Sequence, residues 1–118
     1  MVPHPFLSLQ VLAQSKTFVQ PQPQILSQLT AIDYYNRGLS KGNSEDYQGA
    51  IADYNQAIKL KPDFADTYYN RGFLKSNLGD NQGAINDLRQ AAKLYQQQNK
   101  MQDYQDAINV LKELGVSN

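Results

Sequence analysis

Groups able to do acid–base, nucleophilic or metal chemistry are scarce in this sequence. The single histidine, His4, sits among prolines near the start of the chain, and no cysteine offers a nucleophile, a disulfide or a thiolate ligand. The carboxylates stand mostly where they would cap helices or pair with lysines, and no two have a spacing suited to acid–base work. No glycine-rich phosphate loop and no metal-ligand pattern is present. Neither an enzyme, a metal site nor a cofactor is expected. What recurs instead is suited to contact and hydrogen bonding: "YYNRG" is written at residues 34–38 and again at residues 68–72, thirty-four residues on.

The recurrence runs well beyond five letters. Setting residues 31–64 against 65–98 without gaps pairs Ala31 with Ala65, Arg37 with Arg71, Lys41 with Lys75 and Asp46 with Asp80. It also pairs Asp53 with Asp87, Ala57 with Ala91 and Leu60 with Leu94. Self-similarity at this period marks a helix–turn–helix unit repeated in tandem. With Ala31 and Ala65 as first positions, Tyr34 and Tyr68 stand fourth, and Gly38 and Gly72 stand eighth. Ala50 and Ala84 stand twentieth, Tyr54 and Leu88 twenty-fourth, Ala57 and Ala91 twenty-seventh, and Pro62 thirty-second in the first copy.

In those positions the sequence resembles the tetratricopeptide-repeat family, in the idiom of its small bacterial members. The resemblance covers residues 31–98 and implies an all-α fold, an α-solenoid of two full helical hairpins. Departures are visible. The eleventh position, usually aromatic in that family, holds Lys41 and Lys75. The first copy reads "GNSEDY" where the second reads "SNLGDN", which predicts an irregular first turn. Gln96 replaces the closing proline, so the second helix of that copy should run on by about a turn.

Physical reasons support the pattern. Tyr34 and Gly38, four apart, share a helix face, and the glycine lets the second helix of the hairpin come close. Ala50, Ile51, Tyr54, Ala57 and Ile58 give that second helix its apolar stripe. Asp46 and Asp80 are placed to cap the second helices, and Asp63 to cap the next first helix.

Residues 99–115 form a shortened third unit. "DYQDAINVLKELG" echoes "DYQGAI" at residues 46–51, but chain length favours a first-type helix over about 100–114, opened after a left-handed Asn99. Its stripe would be Met101, Tyr104, Ile108, Leu111 and Leu114, and it would cap the stack. Two full repeats are fewer than the roughly three that usually hold together. The cap, an N-terminal extension of the first helix or a second chain must compensate, and residues 23–35 offer the extension: Pro23 suits a first helical turn, with Ile25, Leu29, Ile32 and Tyr35 on one side. The domain is therefore placed at residues 23–118, preceded by a polar Pro/Gln-rich N-terminal arm over 1–22.

The family resemblance implies that the first helices line a concave groove that receives a peptide. Carried over by position, that groove comprises Tyr35, Asn36, Leu39 and Asn43 from the first copy and Tyr69, Asn70, Phe73 and Asn77 from the second. Steps of four along 35/39/43 and 69/73/77 keep each triplet on one helix face. Rings supply contact area, and asparagine amides can pair with a peptide backbone. The plainer alternative is that Tyr35 and Tyr69 only pack against the neighbouring helix. Family members that grip a C-terminal carboxylate do so with lysine, asparagine and arginine. The matching positions here are Tyr35, Leu39, Asn70, Lys100 and Tyr104, of which only Asn70 and Lys100 fit.

The expected function is a protein–protein interaction module binding a peptide or protein partner in that groove; a self-associating structural module, a homo-oligomer, is the alternative. Eleven basic and eleven acidic residues cancel, which disfavours nucleic acid, and no apolar run is long enough to span a membrane. Residues 11–13, Val-Leu-Ala, resemble a signal-peptidase site, but Gln10 interrupts the short apolar run and no lysine or arginine precedes it. A cytoplasmic location is favoured, with export as the alternative.

One substitution tests the glycine reading. Gly72→Leu should lower stability by about 1–3 kcal/mol through overpacking, measured by urea denaturation; an unchanged midpoint would mean the two helices do not meet there.

Overall fold

The computed structural model describes residues 23–117, with side chains from residue 30 onward. The arm expected over residues 1–22, with its signal-like stretch, lies outside them. Among the described residues five helices follow in order: α1 (Pro23–Asn43), α2 (Tyr47–Leu60), α3 (Ala65–Asn77), α4 (Asn81–Gln97) and α5 (Met101–Glu113). α1 pairs with α2 and α3 with α4, α2 packs on α3, and α5 closes the row against α4. α1 opens at Pro23, as a proline in the first turn favours.

Each hairpin is closed at a glycine. A Cβ at Gly38 would stand 2.5 Å from Cε1 of Tyr54, a ring that is itself buried. At Gly72 it would stand 3.1 Å from the Ala84 carbonyl oxygen, Asp87 Cβ and Leu88 Cγ. The repeat positions facing these notches are sealed. Ala50, Ala57, Ala84, Leu88 and Ala91 have no exposed surface, and Tyr54 keeps 2%. Tyr34 and Tyr68 are half-buried, each beneath the guanidinium three residues on (Arg37 at 5.2 Å, Arg71 at 5.6 Å). Pro62 is exposed in the link before α3.

Two apolar clusters follow. Ala50, Tyr54 and Leu74 form one, flanked by Tyr35, Leu39, Tyr47 and Ile51. Ala65, Ala91, Ala92, Leu94, Tyr95 and Ala107 form the other, with Tyr68, Tyr69, Tyr104 and Ile108 against it. In α5, Met101, counted in the expected stripe, is half exposed at 50%, and Ala107 takes the buried place.

The links between helices correct two expectations. The first turn is not irregular. After α1 the amide of Asp46 donates to the Lys41 carbonyl at 2.8 Å and that of Glu45 to Gly42 at 3.0 Å. After α3, Asp80 donates to Lys75 at 2.8 Å and Gly79 to Ser76 at 3.0 Å, the same Schellman closure. The left-handed residue is Glu45 (φ 67°) in one and Gly79 (φ 87°) in the other. Asp46 and Asp80 then cap α2 and α4 as expected, accepting from the amides of Gly49 (3.0 Å) and Gly83 (2.9 Å). Asp63, by contrast, does not cap α3. The N-cap is Phe64, without a side-chain cap bond, and its ring stacks on Tyr35 at 4.7 Å. A cap oxygen has been given up for ring contact. α4 runs to Gln97, three residues past the counterpart of Leu60, as the missing proline allows, and Asn99 takes φ 59°.

The lysines at the eleventh position find their reason here. Arg37 grips Asp53 with two hydrogen bonds (Nε 3.0 Å, Nη2 2.8 Å), and Lys41 Nζ lies 3.0 Å from the same carboxylate. The second copy repeats this: Arg71 to Asp87 at 2.8 and 2.7 Å, Lys75 at 3.0 Å. Both carboxylates are buried, so each needs its two cations. The Arg37 hydrogen bonds, then Lys41, hold the Asp53 carboxyl below its ordinary range, against the opposing effect of burial.

Two measurements test these devices. A left-handed glutamate is strained, so Glu45→Gly should leave stability unchanged or raise it by up to about 1 kcal/mol, whereas Gly79→Ala should lower it by about 1 kcal/mol in the same urea titration. A depressed carboxyl contributes stability above its unfolded pKa, near 4, and loses it as pH falls toward the folded value. Asp53→Asn should therefore cost about 1–2 kcal/mol at neutral pH and flatten the stability loss between about pH 5 and pH 3.

Candidate functional site

Between α1 and α3 the surface sinks into a hollow of about 260 Å3. Leu39, Gly42 and Asn43 come from α1, Asn70, Phe73, Leu74 and Asn77 from α3, and Tyr47 and Tyr54 of α2 contribute from behind. Five of the eight expected groove residues (Leu39, Asn43, Asn70, Phe73 and Asn77) thus converge. The helical period explains it: each set returns to one face every three to four residues, and the stacking of the hairpins turns the two faces toward each other.

The remaining three are placed differently. Tyr35 is half-buried beneath this surface, its ring 4.7 Å from Phe64 and 6.0 Å from Tyr54. Its hydroxyl accepts a hydrogen bond from Asn70 Nδ2 at 3.1 Å. Asn36 is exposed and does not line the hollow. Tyr69 turns toward α4, edge-on to Tyr95 at 6.4 Å, and is half-buried. Phe73 lies one turn beyond Tyr69 and is 47% exposed, a large ring left in water.

Hydrogen bonding sets the polarity of the walls. The second amide hydrogen of Asn70 goes to the Asp66 carbonyl oxygen at 3.0 Å, so its Oδ1 is the group left to accept from a bound chain. Asp66 in turn accepts from the Tyr95 hydroxyl at 2.5 Å. Burial pushes the Tyr54 hydroxyl up to about 12, and raises Tyr35, Tyr69 and Tyr95 as well; Tyr95 is raised further by its bond to Asp66. These phenols stay protonated donors at neutral pH, and none is poised to exchange a proton there. Among the described residues no group of His, Cys, Asp and Glu is arranged to hold a metal ion. The lining can offer apolar area, amides and carbonyl-type acceptors, which is recognition chemistry.

Sequence reasoning missed Tyr47, and it missed the Asp66–Tyr95 bond. The signal for the latter lay in the repeat alignment: the second copy differs from the first at both positions together, Asp66 for Ile32 and Tyr95 for Lys61. The carboxylate-gripping arrangement does not assemble. Lys100 lines a separate hollow with Lys61, Asp63, Phe64 and Asp66, while Asn70 belongs to the one between α1 and α3.

Comparison with known proteins follows this geometry closely. A tetratricopeptide repeat model matches residues 65–98, the second copy, and a TPR repeat model matches residues 43–79, which span α2 and α3. The tetratricopeptide repeat domain protein of Salinibacter ruber superposes with TM-score 0.67 in its solution structure, at 18% identity over 75% of this chain and 90% of that one. Its crystal structure gives the same score and identity over 74% and 98%. A crystal structure of MamA superposes with TM-score 0.53 at 19% identity, over 74% of this chain and 61% of that one. Identities this low establish shared fold alone. No curated protein is a significant match. Among the described residues no helix is long and apolar enough to cross a membrane. With its period, its glycine notches and two overlapping repeat matches, this chain belongs to the tetratricopeptide-repeat family, a class of protein–protein interaction modules that typically lack enzymatic activity.

Proposed function

We propose that residues 23–118 act as a docking module and that the hollow between α1 and α3 receives an extended segment of a partner polypeptide. The observation that carries this reading is Phe73, 47% exposed at the edge of a recess otherwise walled by Leu39, Asn43, Asn70 and Asn77. An apolar ring held in water on a rigid helix is a ready anchor, because covering it removes apolar area without ordering a loop. The asparagines beside it suit main-chain amides and carbonyls, which an extended segment presents along its length. Tyr35, whose hydroxyl accepts from Asn70, supports that wall from beneath.

Removal of the anchor and one amide tests the reading while sparing the interior. Phe73→Ala with Asn77→Ala should weaken capture of partners from the source cell at least about tenfold, with helical content and melting temperature held near wild type. Full retention of capture would exclude this surface. Sedimentation distinguishes the self-associating alternative: a concentration-dependent dimer that the double variant dissolves would make a second copy the occupant.

A further inference from the structure

The recess between α1 and α3 is uncharged. Its lining offers leucines, asparagines and rings but no carboxylate, lysine or arginine. Lys41 and Lys75, which lie closest to it in sequence, are committed to Asp53 and Asp87. An apolar track leads toward it along α1. Ile32 is 45% exposed, and steps of seven and eleven residues set it on the same helix face as Leu39 and Asn43. At that repeat position the second copy holds Asp66, which accepts from the Tyr95 hydroxyl, so the track belongs to the first copy. Ile32 on α1 and Phe73 on α3 are thus both left in water, one on the approach to the recess and one at its edge.

The sequence holds a segment of the same character. Residues 1–22 lie outside the described structure; among their side chains only His4 and Lys16 can carry charge, and between these stands FLSLQVLAQ, Phe6–Gln14. Written as an extended chain, it puts Leu7, Leu9, Val11 and Ala13 on one side and Ser8, Gln10 and Gln14 on the other. Its tether is long enough. The described chain starts at Pro23, and Leu39 stands about 24 Å farther along α1 at the helical rise. Residues 12–22 span about 34 Å when extended, so Val11 and the apolar residues before it reach the recess by way of Ile32. Resting on the docking reading above, we propose that the chain's own residues 6–14 fill this recess, an internal occupant that a partner segment must displace. The apolar side covers Ile32 and Phe73, and the main chain pairs with the amides of Asn43, Asn70 and Asn77. A segment tethered this closely faces its site at an effective concentration in the millimolar range, so contacts too weak to hold a free peptide suffice.

The sequence has no cysteine, so a single nitroxide spin label on Ser8→Cys reports where the arm lies. In the dilute, isotope-labelled full chain, the amide signals of Asn43, Asn70, Phe73 and Asn77 should lose intensity, while those around Lys112 on α5 keep it. Adding Leu9→Asp and Val11→Asp should restore the lost signals, because two carboxylates cannot enter an uncharged recess without partners. The loss should be absent from a mixture in which the spin label and the isotopes sit on different chains. Loss that persists in that mixture would put a second copy's arm in the recess and overturn the proposal. Recess signals untouched by the label, or a loss indifferent to Leu9→Asp with Val11→Asp, would overturn it as well. Those results leave the docking reading standing; it falls separately, if Phe73→Ala with Asn77→Ala leaves partner capture intact.

Discussion

Two helices approach as α1 and α2 do only where one of them has no side chain at the crossing. At Gly38 the missing Cβ leaves the space that the Tyr54 ring fills, and at Gly72 the α4 backbone itself comes within reach. Everything built on the hairpins inherits this closeness. With Tyr54 set against one notch and Ala84, Asp87 and Leu88 against the other, α1 and α3 are left to wall the hollow between them. A bulkier residue at either site would part the hairpin and spread the recess between α1 and α3.

The turns make the same economy possible along the chain. Asp46 and Asp80 each serve twice, once as the amide that closes the preceding helix and once as the cap that opens the next. Such a link leaves no slack, so the angle between paired helices is set locally. α4 departs from the pattern because Gln96 permits another turn where proline would have stopped it, and α5 follows that turn, with its Ala107 in the same cluster as Tyr95 of α4.

Charge in this molecule works inside the hairpins. Asp53 and Asp87, buried and gripped by arginine and lysine, tie each hairpin together from within.

The period, the helical class, the notches at Gly38 and Gly72 and the caps at Asp46 and Asp80 were legible in the letters. Each depends on spacing along one chain and repeats thirty-four residues later, so local rules suffice. The grip of Arg37 on Asp53 was present only as a matched pair of identities in the alignment, since sixteen residues separate the partners across a turn. Which of the eight groove residues share a hollow was decided by tertiary structure alone. Tyr35 and Tyr69 are drawn inward by Phe64 and Tyr95, residues remote in sequence, while Phe73, in the same step of four, is left in water. A helical period tells which side a residue is on; how deep that side lies depends on what the neighbouring helix brings to cover it.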